Sequence, residues 1–350
     1  MRRSLSAAPV TLLAALLLTH CSSSASPASA GGSGSGSLGL KTGASCGATG
    51  PGLTDCGSDG ARSCCSAAQV PGGDFFRSYD GISTNGATKD FPATVSAVAV
   101  DEYEVTVGRF RAFATAEVAG WRPATGSGKH SHLNGGKGLN GGTEPGWDAS
   151  WSADLAATSG EWATRLACDA KFATWTGSAG AHEDFPINCI DWYEAYAFCI
   201  WDGGFLPSEA EWNFTASGGD EQRVYPWSAA YPPGSTTLDC SHADYSASWP
   251  STSCVPSGTT KVGSFSPLGD GKWGHADLGG NVFEWTFDGY GQTYPAKCDD
   301  CADLTSTSNR VIRGGAFDGS PACLLNSLRE ASVPAGRSRD VGVRCARPPG

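Results

Sequence analysis

Val311-Ile312-Arg313-Gly314-Gly315-Ala316-Phe317-Asp318-Gly319, followed further on by Val341-Gly342-Val343-Arg344-Cys345, is the stretch on which the reading of this chain turns. Two short β-branched runs, each with an arginine, predict two strands around a polar loop. The paired glycines after the first run mark a sharp turn or a close backbone approach. Cys345, in the second run, must find a partner far upstream if it is bridged.

Outward from that stretch, the composition implies a loop-rich fold. The 350 residues accommodate one large domain or two ordinary ones. Forty-eight glycines and 20 prolines against one methionine imply many turns, and 12 tryptophans imply a core of large, rigid aromatics. The net charge of −11 is spread along the chain without a basic stripe, which argues against nucleic acid as a partner. No apolar run beyond the N-terminus approaches the roughly 20 residues needed to span a bilayer.

Fourteen cysteines point to an oxidising compartment. The N-terminus supplies the route there: Arg2-Arg3, an apolar run from Val10 to Leu18, then Thr19-His20-Cys21. Residues 1–20 read as an export signal and Cys21 as the lipidated first residue of an envelope lipoprotein. Ordinary cleavage nearby would instead release a secreted protein. Residues 21–45, rich in Ser, Ala and Gly, form a flexible tether. The following segment, 46–69, is too short to bury a core. Its Cys46, Cys56, Cys64 and Cys65 are expected to form two disulfides, with three pairings open and a four-thiolate metal site as the alternative.

The main domain is drawn from residue 70. Val95 to Val100 alternates toward a strand, and Thr106 is placed to cap a helix carrying Phe110, Phe113 and Ala114. In the glycine-rich stretch from Gly120 to Trp151, Lys129-His130-Ser131-His132 offers an alternate-residue histidine pair. With no Cys or carboxylate at ligand spacing, it reads as ordinary loop. Asp191 and Glu194 form a capping box ahead of an apolar stripe of Trp192, Ala195, Tyr196, Cys199 and Ile200. Cys199 on that stripe suits a disulfide better than a reactive thiol. Ser208 and Glu211 form a second box before Trp212, and Cys240 and Cys254 can close one loop. In Asp277-Leu278-Gly279-Gly280-Asn281-Val282-Phe283-Glu284-Trp285, two carboxylates and glycine-freed carbonyls could make a calcium shell.

Six motifs then stand in a recognisable order: Val100-Asp101-Glu102-Tyr103-Glu104-Val105-Thr106, Pro186-Ile187-Asn188-Cys189-Ile190-Asp191-Trp192, Phe205-Leu206-Pro207-Ser208-Glu209-Ala210-Glu211-Trp212, Gly280-Asn281-Val282-Phe283-Glu284-Trp285, Arg313-Gly314-Gly315 and Gly342-Val343-Arg344-Cys345. Together they resemble the formylglycine-generating enzyme (sulfatase-modifying factor) family over about residues 70–348. The resemblance implies a single α/β (α+β) domain with a C-type-lectin-like fold and little regular secondary structure. It implies calcium on Asp277, Glu284 and the carbonyls of Gly280 and Val282, and a Cys199–Cys345 disulfide. A second family calcium site would need an Asp where Gly263 stands, two residues before Phe265.

Family enzymes oxidise a sulfatase cysteine with O2 and copper(I) held by two thiolates, ligands whose softness suits copper(I). Register from Gly314-Gly315 puts those thiolates at Gly319 and Leu324, the active-site serine at Ala316 and a motif tryptophan at Phe283. Cys323 lies one residue from the second position. An accessory family disulfide would fall on Ala216 and Arg329. Beyond Cys21 the cysteines are odd in number, which leaves Cys298, Cys301 and Cys323 as a disulfide plus a spare thiol, or as a three-thiolate copper site. The expectation is an exported, non-catalytic binding module for a peptide, protein or glycan, membrane-tethered through Cys21, with calcium and without copper. Trp273, Phe283 and Phe317 are candidates to line its groove. The alternative is a diverged oxidoreductase acting on protein or small-molecule thiols through Cys323 with Cys298 or Cys301, or through another metal.

Overall fold

The computed structural model describes residues 43–82, 88–232, 237–248, 252–291, 293–294 and 297–350. The export signal, Cys21 and nearly all of the tether lie outside them. The chain divides into Met1–Leu38 and Gly39–Gly350, and every described residue belongs to the second unit.

Among the described residues regular structure is sparse and sheet-based, with four short sheets and a few helices. One sheet orders β1 (Ala67–Val70), β4 (Val98–Asp101) and β12 (Ala346–Arg347), all antiparallel. A second orders β10 (Glu330–Ser332), β9 (Arg310–Arg313), β7 (Phe283–Gly289) and β11 (Val341–Gly342), with β11 parallel to β7. A third orders β2 (Gly73–Phe76), β3 (Pro92–Val95) and β8 (Cys298–Asp299). β5 (Ser246–Ser248) and β6 (Thr252–Ser253) form a small hairpin. The strand expected over Val95 to Val100 is thus two strands in different sheets, broken at Ser96-Ala97. Both runs of the opening stretch are strands. Its second run feeds two sheets, β11 joining β7 and β12 joining β4, with Cys345 between them.

The four main helices start where local chemistry demands. Thr106 caps α1 (Val107–Val118) through Arg109 N, and Thr158 caps α2 (Ser159–Arg165) through Glu161 N. Asp191–Glu194 and Ser208–Glu211 are complete capping boxes at the starts of α3 (Trp192–Trp201) and α4 (Glu209–Ala216). α3 is buried almost all round, so its moment is weak and tertiary packing holds it. Phe110, Phe113, Phe198, Trp162 and Trp201 meet in edge-on, stacked and tilted contacts among α1, α2 and α3.

Disulfides close much of what the short elements leave open. Cys46–Cys65 and Cys56–Cys64 pair in the N-terminal segment, which answers the open connectivity there. Cys199 on α3 joins Cys345 across a separation of 146 residues, a closure worth on the order of 5 kcal/mol by chain entropy. Cys240–Cys254 and Cys298–Cys301 also pair, as does Cys168–Cys189, which no sequence argument anticipated. The six disulfides among the described residues suit an oxidising compartment. No helix among the described residues is long and apolar enough to cross a membrane.

The 46–69 segment is tied to the main domain by a buried arginine. Arg109, fully buried on α1, reaches Ser45 Oγ at 3.1 Å, the Cys64 carbonyl at 3.2 Å, Asp101 at 2.9 Å and Asp202 at 2.7 Å. Arg347 completes the square with Asp101 at 3.0 Å and Asp202 at 2.8 Å. The stapled segment thus lends the Cys64 carbonyl, and Ser45 just before it a hydroxyl, to a buried arginine.

Candidate functional site at the glycine-turn loop

β9 ends in Gly314 (φ 102°) and Gly315 (φ 79°), a left-handed pair that only glycine adopts without strain. Space enforces the same choice. A Cβ on Gly315 would stand 2.9 Å from both the Cys323 carbonyl and Leu324 Cδ1. The turn docks on the Gly280 loop, with Gly280 N–H donating to the Gly314 carbonyl and Phe317 N–H to the Asn281 carbonyl, each at 2.9 Å.

The loop that follows turns its apolar residues inward. Ala316, Phe317 and Leu324 are buried, while Asp318, Gly319 and Cys323 are half-buried. Asp318 pairs with Arg339 at 3.0 Å, Arg339 reaches Asp169 at 3.2 Å, and its guanidinium lies 4.9 Å over the Phe172 ring. Phe172 in turn contacts Phe317 at 5.2 Å. Cys323 is free, with Ser320 Oγ 3.5 Å from its sulfur. A Cβ on Gly319 would lie 3.3 Å from Cys323 Cβ, so the thiol stands beside the position expected for the first copper ligand. Leu324, at the second position, is an aliphatic side chain sealed in the core. A copper(I) ion would find one soft ligand here, and the residues do not fit it. The three-thiolate arrangement is also overturned, because Cys298 and Cys301 are bonded to each other.

Behind the loop lies a buried ionic centre. Arg344 grips Glu284 with Nε and Nη2 at 2.6–2.8 Å and spends its other donors on the carbonyls of Asp101, Glu102 and Ala276. Trp212 Nε1 donates to Glu284 Oε2 at 2.6 Å. Glu104 accepts from Asn281 Nδ2 at 2.6 Å and Val282 N at 3.2 Å. Burial, reinforced by Asp277 and Glu284, pushes the Glu104 carboxyl well above its ordinary range. Burial also lifts Asp277 to about 6, against the opposing Gly263 N–H at 2.5 Å and Arg344.

This geometry bears on the expected calcium shell. Both Glu284 oxygens are held by Arg344 and Trp212. A calcium ion on Glu284 would compete with Arg344 and Trp212 for its oxygens. Among the described residues no group of three or more His, Cys, Asp or Glu is placed to hold a metal ion. The proposed groove aromatics also resolve differently: Phe283 and Phe317 are buried, and Trp273 stacks on Phe214 at 5.7 Å.

Two further centres were hidden from sequence. His130 is fully buried, with Nδ1 2.9 Å from Glu144 and Nε2 2.9 Å from Glu211. Burial alone would lower the imidazole, but the two carboxylates outweigh it and lift it to about 10. Its neighbour His132 stacks on Phe205 at 5.5 Å. The capping-box role of Glu211 was legible; its partner 81 residues away was not. Arg329, at one accessory-disulfide position, makes a two-pronged pair with Glu209 at 2.6 and 2.8 Å, and Ala216 at the other is buried.

Comparison with known proteins matches the Sulfatase-modifying factor enzyme 1-like domain over residues 54–349. An inactive C-alpha-formylglycine-generating enzyme 2 from Bos taurus is 34% identical over 179 residues, covering 48% of this chain and 53% of the relative. A formylglycine-generating enzyme from Streptomyces coelicolor is 31% identical over 188 residues, covering 50% and 58%. The chain thus spans little more than half the length of these relatives. Among solved structures, PvdO from Pseudomonas aeruginosa is similar at a TM-score of 0.54 and 21% identity, covering 86% of this chain and 100% of that one. Treponema denticola variable protein 1 is similar at 0.50 and 19%, covering 81% and 95%. These two likenesses establish the mixed α+β fold.

Proposed function

The chain belongs to the sulfatase-modifying factor enzyme 1-like family, and within it we propose a non-catalytic member, exported from the cytoplasm, that works as a binding module. The observation that carries this reading is the glycine-turn loop. Its scaffold is kept down to the Gly314-Gly315 turn, while Gly319 and Leu324 offer no thiolate and Ala316 no hydroxyl. Copper-dependent cysteine oxidation needs both soft ligands on one ion, and Cys323 supplies at most one. Similarity to relatives named as inactive formylglycine-generating enzymes supports the same reading. The half-buried face beside the loop, with Phe172, Arg339 and Asp318, is the surface we assign to ligand contact. Export rests on the N-terminal signal and the cysteine content, and anchoring on lipidation of Cys21.

The test is direct. Purified protein is incubated with a sulfatase-motif cysteine peptide, copper(I) and O2, and the peptide is followed by mass spectrometry. The expected result is an unchanged cysteine; its conversion to the aldehyde would refute the reading. For the anchor, Cys21→Ala should release the protein from the membrane fraction, and retention there would refute lipidation.

A further inference from the structure

A cavity of about 560 Å³ opens between β2–β3 of the third sheet and the Tyr231-Pro232 loop, and it shares no lining residue with the glycine-turn loop. Its wall is aromatic. Phe76 and Tyr79 meet edge-on at 6.2 Å, and Tyr79 and Tyr231 at 6.0 Å. The wall is also rigid. The Gln222 side chain, on a left-handed residue (φ 49°), accepts from Phe76 N at 2.6 Å and donates to the carbonyls of Phe76 and Tyr79 at 3.2 Å. Tyr231 N–H is fixed to the Glu221 carbonyl at 2.7 Å. Cys298 lines the cavity and is locked to Cys301, which anchors β8 beside β3.

The charges around this wall decide what it fits. Two ammonium groups, Lys89 and Lys297, and two carboxylates, Asp74 and Asp220, line the cavity, so it has no net charge. Lys89 Nζ lies over one face of each of Phe76 and Tyr79, 5.2 Å from both centroids. A cationic ligand would therefore meet Lys89, and an anionic one would meet Asp74 and Asp220. A neutral polyhydroxylated ring matches all of them. Its C–H face lies on an aromatic side chain, its hydroxyls accept from ammonium and donate to carboxylate, and no charge is left unmatched.

We propose that this cavity is a carbohydrate subsite for a neutral sugar ring. The experiment is saturation-transfer NMR and calorimetry on the intact chain with maltose, cellobiose and N,N′-diacetylchitobiose, and with glucuronate as the charged counterpart. At least one neutral sugar should bind. Tyr231→Leu and Phe76→Leu, each checked for unchanged circular dichroism, should weaken it by about tenfold, the loss of one aromatic contact. Lys89→Met, which keeps the stem and removes the charge, should weaken it less. Binding of none of the three sugars, indifference to both aromatic variants, or preference for glucuronate would each overturn the proposal.

Discussion

Replacing His130 by Gln tests whether a buried charge fastens the glycine-rich loop to the start of α4. The imidazole lies 2.9 Å from Glu144 and 2.9 Å from Glu211, and the His130 backbone N–H donates to Glu144 Oε2 at 3.0 Å. Its pKa rises from 6.5 to about 10. At 1.36 kcal/mol per pH unit, that rise corresponds to on the order of 5 kcal/mol of stability from the charged form. Removing one partner of a buried pair costs about 3–5 kcal/mol on general grounds, so the two figures agree. The sign follows from the direction of the shift. The group is raised on folding, so its contribution is complete below pH 6.5 and is lost as pH climbs through about 10.

The measurement is urea unfolding of wild type and His130→Gln, both in a Cys323→Ser background so that no free thiol reshuffles the disulfides at high pH. The difference in unfolding free energy should be largest near pH 6 and shrink by about 1.4 kcal/mol per pH unit toward pH 10. Burial also lifts Glu117, Asp191 and Asp244 to about 8 in both proteins, and taking the difference removes them. A difference that is flat with pH, or below about 1 kcal/mol at pH 6, would refute the assignment of a charged His130.

Other expectations follow from the same geometry. Because Glu284 serves Arg344 and Trp212, calcium should leave the melting temperature nearly unchanged; an ion at a hundred times its Kd adds about 2.7 kcal/mol, and a shift of that size would show Glu284 leaving Arg344 for it. Gly319→Cys puts a second thiol beside Cys323, with the Cβ atoms about 3.3 Å apart before relaxation. The reduced variant should bind copper(I) at one equivalent where wild type does not, and equal binding by both would show that the loop is already a copper site. Arg109→Met strands Asp101 and Asp202 beside Arg347 and should cost about 3–5 kcal/mol. It should also hasten proteolysis within residues 43–66, and unaltered protection there would mean that the two disulfides alone hold the segment.

What the sequence determined by itself was local or periodic. The caps at Thr106, Asp191 and Ser208 need only neighbours three residues away. The turn at Gly314-Gly315 announces its backbone, and the order of six motifs carried the family. That Gly319 and Leu324 carry no thiol is read directly from the chain; that they stand at copper-ligand positions rests on the family resemblance. Tertiary structure alone decided the partners of buried charges. Glu284, read as a calcium ligand, is held by Arg344, 60 residues on. His130, read as ordinary loop, is clamped by a carboxylate on α4. Cys168 finds Cys189, and the stapled N-terminal segment is bound by Arg109. A buried charge or thiol is satisfied by whatever the fold brings within about 3 Å, and sequence spacing carries no record of that distance.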